Sequence, residues 1–352
     1  VARLRSGSAG SQEQPRSQEL AAAELSRLMF NNVDSKAVIV RAGAIEPLVA
    51  LVRGDSAGAQ EEAATALFHL ATGNADNKVA IARAGAIEPL VVLVRSGSAM
   101  AREAAAAALG TLTYGNADNQ AATALAGAIE PLVALVRGGS AEAQVQAAIA
   151  LGNLAYGNAD NKAAIARAGA IEPLVALVRS GSAEAQEAAA TALAHLATGN
   201  TDNQEAIARA GAIGSLVAAL VRSGSAGARS AAAEALYFLA SSADTLAAFA
   251  QADHLNPLIA LSRDGSAEAH GSERAAVRAS GLLLALAENS VEIKRSINRA
   301  GGIGPDRRLI GGPVGVQERV ADALYNRGSS ILLTVVAGAL LAYVVYSRRT
   351  AR

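Results

Sequence analysis

Four histidines, His69, His195, His254 and His270, are the side chains best suited to acid–base or metal chemistry in a chain that has no cysteine. His69 and His195 sit in near-copies of one phrase, ALFHLATGN and ALAHLATGN, separated by three repeat lengths. If each repeat is one helix layer, they lie about 25–30 Å apart at the usual helix spacing. They cannot then share a metal that needs bonds of about 2 Å. Neither has a Cys, His or Asp at ligand spacing, so both are read as one repeated surface position. The serines recur in RSGSA turns, where a hydroxyl caps a helix, and no G-x-S-x-G elbow holds one as a nucleophile. Gly301, Gly302 and Gly304 do not complete G-x-G-x-x-G and follow no strand. Glu61 and Glu62 read as a solvated helix face. The expectation is no catalytic residue, no metal and no cofactor.

What positions these residues is a repeat. The Gly of AGAIEPL falls at Gly43, Gly85, Gly127 and Gly169, then at Gly211 in AGAIGSL, with every interval equal. The slot recurs one further interval on at Asp253, within QADHLNPL, and again at Gly301 after a short insertion. This interval lies within the helical period of about 40–47 residues that is the signature of an α-solenoid. The segment from Asn158 to Asn200 shows the unit. A short first helix spans roughly 160–168, with Asp or Asn as its cap. Gly169 turns the chain. A second helix spans about 170–178, with Pro173 in its first turn, where no backbone donor is missed. Ile171, Leu174, Val175 and Val178 form its apolar stripe. Ser182 caps a third helix running to about residue 197, with Ala189, Ala192, Leu193 and Leu196 on one face.

AGAIEPLVALVRSGS followed by AATALAHLA resembles the armadillo repeat, with that family's Gly between first and second helices and its A-L-x-x-L-A in the third. The resemblance covers nearly the whole chain. HEAT repeats are the near neighbour, but lack the short first helix ending in Gly. The resemblance implies an all-α, right-handed α-solenoid of about seven three-helix repeats. It also implies a concave surface, lined by third helices, that holds extended peptides. The family's import adapters carry an Asn one residue before the Leu of L-A and a Trp four residues earlier. Here the Asn slot reads Arg27, His69, Thr111, Asn153, His195, Phe238, Ala285 and Asn326. The Trp slot reads Ala23, Thr65, Ala107, Ile149, Thr191 and Glu234, and the chain has no Trp. Residues four apart share a helix face. The expected groove therefore comprises Arg27, Thr65, His69, Thr111, Ile149, Asn153, Thr191, His195, Phe238 and Asn326. Without the ladders of Asn and Trp, Asn153 alone reads as a capping or solvated residue before a peptide clamp.

Composition narrows the partner. Lys+Arg and Asp+Glu are equal at 31 each, which gives no basic footprint for nucleic acid. Aromatic residues are 3% of the chain, so the layers are thin and Ala-packed. The opening VARLRSGSA reads like VALVRSGSA, the end of a second helix, so residues 1–31 are the end of a truncated repeat with its third helix. Six full repeats occupy residues 32–289. Residues 290–327 form a degenerate repeat, with Asp306, Arg307 and Arg308 where apolar residues stood, and read as a polar cap. Gly328 to Ser347 then runs without a charge. A helix needs about 20 residues to cross a hydrocarbon core, and this stretch supplies them. Tyr343 and Tyr346 suit an interface, and residues 348–352 make a short basic tail. A buried closing helix is the other reading of this segment. The short tail implies insertion after translation, as in tail-anchored proteins, and resembles tails of the mitochondrial outer membrane or peroxisome.

The expected function is a non-enzymatic, monomeric scaffold that binds a protein or extended peptide segment and faces the cytosol from a membrane through Gly328–Ser347; a soluble cytoplasmic protein is the other reading. It resembles fungal vacuolar armadillo proteins in being a membrane-bound scaffold, although those are anchored by N-terminal acylation. Two alternatives remain open: a nuclear-import adapter, and the armadillo portion of a U-box-type ubiquitin ligase.

Overall fold

The computed structural model describes residues 1–5, 13–30, 32–240, 243–250, 252–263 and 272–300. All regular structure among them is helical. The chain forms two units, Val1–His254 and Leu255–Arg352. The first opens with α1 (Ala2–Arg5) and α2 (Glu13–Met29), the second and third helices of a partial repeat. Three triplets follow: α3 (Val33–Arg41), α4 (Ile45–Val52) and α5 (Ala57–Ala71); α6 (Ala75–Arg83), α7 (Ile87–Ser96) and α8 (Ala99–Thr113); α9 (Ala117–Leu125), α10 (Ile129–Gly138) and α11 (Ala141–Ala155). Two more are α12 (Ala159–Arg167), α13 (Ile171–Ser180) and α14 (Ala183–Ala197), then α15 (Thr201–Arg209), α16 (Ala212–Arg222) and α17 (Ala226–Leu239). The last runs through α18 (Ala243–Phe249), α19 (Ala252–Arg263), in which the division between the units falls, and α20 (Ser272–Asn289); α21 (Val291–Arg299) comes after it. Within the second unit α20 packs on α21. The proposed capping repeat beyond residue 300, the apolar segment Gly328–Ser347 and Asn326 lie outside the described residues.

Local chemistry explains the triplet. The Asn158 side chain accepts from the Asn161 amide at 3.0 Å and starts α12 one residue earlier than the sequence suggested. After that helix the Gly169 amide bonds Ala166 and the Ala170 amide bonds Ile165, a paired closure of the last turn. It requires the left-handed conformation at Gly169, which has φ 72°. The chain can therefore turn sharply within a few residues and start α13 at Ile171, as it does at the equivalent joint between α9 and α10, where the bend is 82°. Ser182 then accepts from the Ala185 amide at 3.2 Å and starts α14.

The expected stripes are the core. Leu174, Ala189, Ala192, Leu193 and Leu196 are fully buried, and Ile171, Val175 and Val178 nearly so. In the first unit the third helices pack in series, α2 on α5, then α8, α11, α14 and α17. Their Ala-rich faces bring backbones close. A Cβ on Gly152 of α11 would stand 3.2 Å from the Ala192 Cα of α14, and one on Gly110 of α8 would stand 3.3 Å from the Ala150 Cα.

Buried polar ladders join the layers. Asn77, Asn119, Asn161 and Asn203 each donate through Nδ2 to the carbonyl of the Leu seven residues earlier, at 2.8–3.1 Å. Each closes the C-terminal end of the preceding third helix, whose last carbonyls have no partner within the helix. Beside them Lys36 Nζ donates to the Thr72 carbonyl at 2.9 Å and Lys78 Nζ to the Tyr114 carbonyl at 2.6 Å. Gln120 bonds the Tyr156 carbonyl at 3.0 Å, and Lys162 the Thr198 carbonyl. A cation at a helix C-terminus meets the negative end of the helix dipole, which offsets part of its burial.

Candidate functional site

The residues nominated for the groove fall on the third helices and are placed unevenly. Two open clefts lie between neighbouring third helices. The first, ≈ 210 Å³, lies where α5 meets α8, and Thr65 and His69 line it. Glu61, Phe68, Met100 and Glu103 contribute the rest of its character, with Gln146 reaching in from α11. The second, ≈ 340 Å³, lies between α11 and α14, and Ile149, Asn153 and Thr191 line it. Val145, Ala148 and Ala188 give it apolar lining, and Glu184 and Glu187 give it two carboxylates. Thr111 is half-buried and lines neither. Arg27 is exposed on α2. Phe238 is half-buried on α17, with its ring 5.8 Å from Tyr237.

Two expectations change here. The His69 and His195 slot is half-buried, because the third helix of the preceding repeat stands against it. His195 Nδ1 lies 2.9 Å from the Gly152 carbonyl, which fixes the ring with that nitrogen as donor. The Tyr156 ring packs against it at 5.0 Å, and Phe30 and Phe68 flank His69 at 5.7 and 5.0 Å. Asn153 is likewise committed: its Nδ2 donates to the Gly110 carbonyl at 2.9 Å. Its amide nitrogen ties two layers together, while the half-buried side chain lines the second cleft. The second change concerns Glu61 and Glu62, read from sequence as solvated. Both are half-buried, and Glu61 helps to form the first cleft.

Charge is arranged unequally. Burial pushes the Glu61 carboxyl up from its ordinary value, and the carboxylates of Glu62 and Glu19 push it further. Glu103 is raised by burial, then by Glu142 and Glu61, with the Ser140 hydroxyl pulling it partly back. The charged groups acting on both are thus other glutamates. Burial lowers the basicity of His69, with Lys36 adding to it. In His195 burial and Lys162 do the same, against the pull of the Gly152 carbonyl. Glu62 is raised by burial and by Glu19, while Arg27 opposes the rise.

Sequence reasoning missed the glutamates. Glu19, Glu61 and Glu103 recur at the period of the repeat, and Glu187 falls two periods beyond, with Val145 in the gap. That recurrence was the available signal. Part of it serves packing, since Ser225 Oγ donates to Glu187 Oε2 at 3.4 Å. Among the described residues no three His, Asp or Glu side chains converge to hold a metal ion.

Comparison with known proteins follows the same helices. The Armadillo/beta-catenin-like repeat profile matches residues 32–72, 74–114 and 158–198, the triplets α3–α5, α6–α8 and α12–α14. No curated protein matches the chain in sequence at a significant level. Among solved structures, an engineered protein is 33% identical, with a TM-score of 0.78 over 92% of this chain and 76% of its own. A designed armadillo repeat protein is 30% identical with a TM-score of 0.61, over 68% of this chain and 97% of its own. Another designed armadillo repeat protein, in complex with the peptide (KR)4, is 29% identical with a TM-score of 0.59, over 68% and 97%. Repeat length, left-handed glycine, helix triplet and relatives agree, and the chain belongs to the armadillo repeat family.

Proposed function

We propose that this protein is a non-enzymatic scaffold that binds an extended segment of a partner protein along the third-helix face of its repeats. One observation carries the reading: the partly exposed side chains of consecutive third helices line open clefts at α5–α8 and α11–α14, on a scaffold whose core is buried elsewhere. A solenoid repeats such a surface at each layer, which suits an extended chain better than a compact ligand. The likeness to a designed armadillo repeat protein in complex with a peptide supports it. The test is isothermal titration of the full chain with peptides recovered from a random display library. Saturable binding lost on replacing Ile149 or Thr191 is the expected outcome. Binding unaffected by both, or mapped to the second-helix side, overturns the reading.

The scaffold acts as a monomer, and Gly328–Ser347 attaches it to a membrane with the repeats in the cytosol. The support is the sequence itself: an uncharged run of spanning length with tyrosines near one end and arginines beyond. Among the described residues no single helix is long and apolar enough to cross a membrane, so the attachment rests on this segment alone. A reporter fused to residues 325–352 resists carbonate extraction if the segment spans a bilayer. A reporter that washes off means the segment packs on protein instead.

A further inference from the structure

The first helices of the repeats end on one row of side chains. Arg41, Arg83, Arg167 and Arg209 are the last residues of α3, α6, α12 and α15, and all four are exposed. Equivalent slots of a solenoid stack layer on layer, so the row runs about 30–40 Å along one edge of the first unit. A second arginine reaches two of the same joints. Arg53 Nη2 donates to the Gly85 carbonyl at 2.9 Å, and Arg137 Nη2 to the Gly169 carbonyl at 2.8 Å. Glu88 and Glu172, exposed in the next first turns, offset one of the two charges at each joint and leave the other. The middle layer breaks the row. Leu125 ends α9 where its neighbours carry arginine, and it is 91% exposed. Ala121 and Ala122, four and three residues before it, are exposed on the same face. An apolar helix face between basic layers suits a lipid surface, which takes apolar side chains below its headgroups and cations among them.

We propose that this edge of the first unit lies on an anionic lipid bilayer, with Leu125 entering the headgroup boundary and the arginines on the anionic headgroups. An acidic polypeptide answers the charges but leaves the α9 face in water, whereas a bilayer covers both. The inference is separate from the peptide-binding reading, which uses the third helices. It does not need Gly328–Ser347 to span a bilayer.

The chain has no Trp, so Leu125→Trp makes a single reporter. The full-chain variant is followed by fluorescence on adding phosphatidylcholine vesicles, with and without phosphatidylserine. A blue shift with phosphatidylserine alone, reversed by salt, is the expected result. Each arginine near an anionic leaflet strengthens binding about five-fold. Arg83→Gln/Arg167→Gln in the same background should therefore raise the lipid needed for half the shift about twenty-fold or more. Circular dichroism checks that these exposed replacements leave the fold intact. A shift equal on both lipids, or unmoved by the Gln pair, overturns the inference. So does a shift given by polyglutamate and not by vesicles, which assigns the row to an acidic polypeptide. Protein that floats with vesicles while the Trp stays in water overturns it too, and leaves attachment through Gly328–Ser347 standing. Protein that neither floats nor shifts also overturns it, and the reporter fused to residues 325–352 then decides the tail on its own.

Discussion

Asn153 and His195 make one and the same hydrogen bond in consecutive layers. Asn153 Nδ2 donates to the Gly110 carbonyl and His195 Nδ1 to the Gly152 carbonyl, each at 2.9 Å. The slot therefore ties third helix to third helix before it meets any ligand, and its titration is linked to stability. The fold lowers the His195 basicity, so it favours the neutral ring. That contribution is fully present above the unfolded value of about 6.5 and is lost as pH falls from there through the folded value. His195→Asn should keep the bond and remove the titration. Its melting temperature should then fall less than that of the wild type between pH 7.5 and pH 5.5. Equal falls would mean His195 does not carry the acid sensitivity.

Gly152 allows α11 and α14 to approach as they do. A Leu there drives its Cβ into the Ala192 backbone at 3.2 Å and its remaining atoms further in. Gly152→Leu should cost about 1–3 kcal/mol in urea denaturation, as overpacked cores do. A neutral result would mean that the layers slide apart freely.

Asn161 donates its amide to Leu154 in a buried site. Asn161→Ala leaves that carbonyl unpaired and should cost about 1–3 kcal/mol. Asn161→Asp should cost more, because a carboxylate cannot donate and would face the carbonyl. If Asp is tolerated better than Ala, the bond runs otherwise than described.

Lys78 and Gln120 occupy equivalent slots and both bond the C-terminal carbonyl of a third helix. Burial lowers the Lys78 basicity, and Gln120 makes the equivalent bond with an uncharged amide. Lys78→Gln should change stability by less than about 1 kcal/mol. Lys78→Glu, an acceptor without a proton at the negative end of a helix, should cost about 2–4 kcal/mol. Calorimetry on the pair decides it: equal losses would show that charge has no part in this ladder.

Leu193 is fully buried between layers. Leu193→Asp should cost more than about 3 kcal/mol, because it places an uncompensated charge in the core. A folded variant with an unchanged melting temperature would misplace the core.

The sequence by itself determined the repeat. The even spacing of the AGAIEPL phrase, Gly169 after a short helix, Pro173 in the next first turn and Ser182 before the long third helix are all local chemistry. Backbone sterics and capping act within a few residues, so a string of letters records them, and the apolar stripes record which faces are buried. Only the tertiary structure decided what the polar positions do. Glu61 was read as solvated and is half-buried, in a cleft that residues of α8 share with it. His195 was read as surface and is bonded to Gly152, 43 residues away. Asn77, Asn119, Asn161 and Asn203 were visible as a recurring letter, but not as closures of the preceding third helices. Periodicity along one helix tells which side is apolar. It does not tell how near the next helix comes, and burial, hydrogen bonding and charge all depend on that distance.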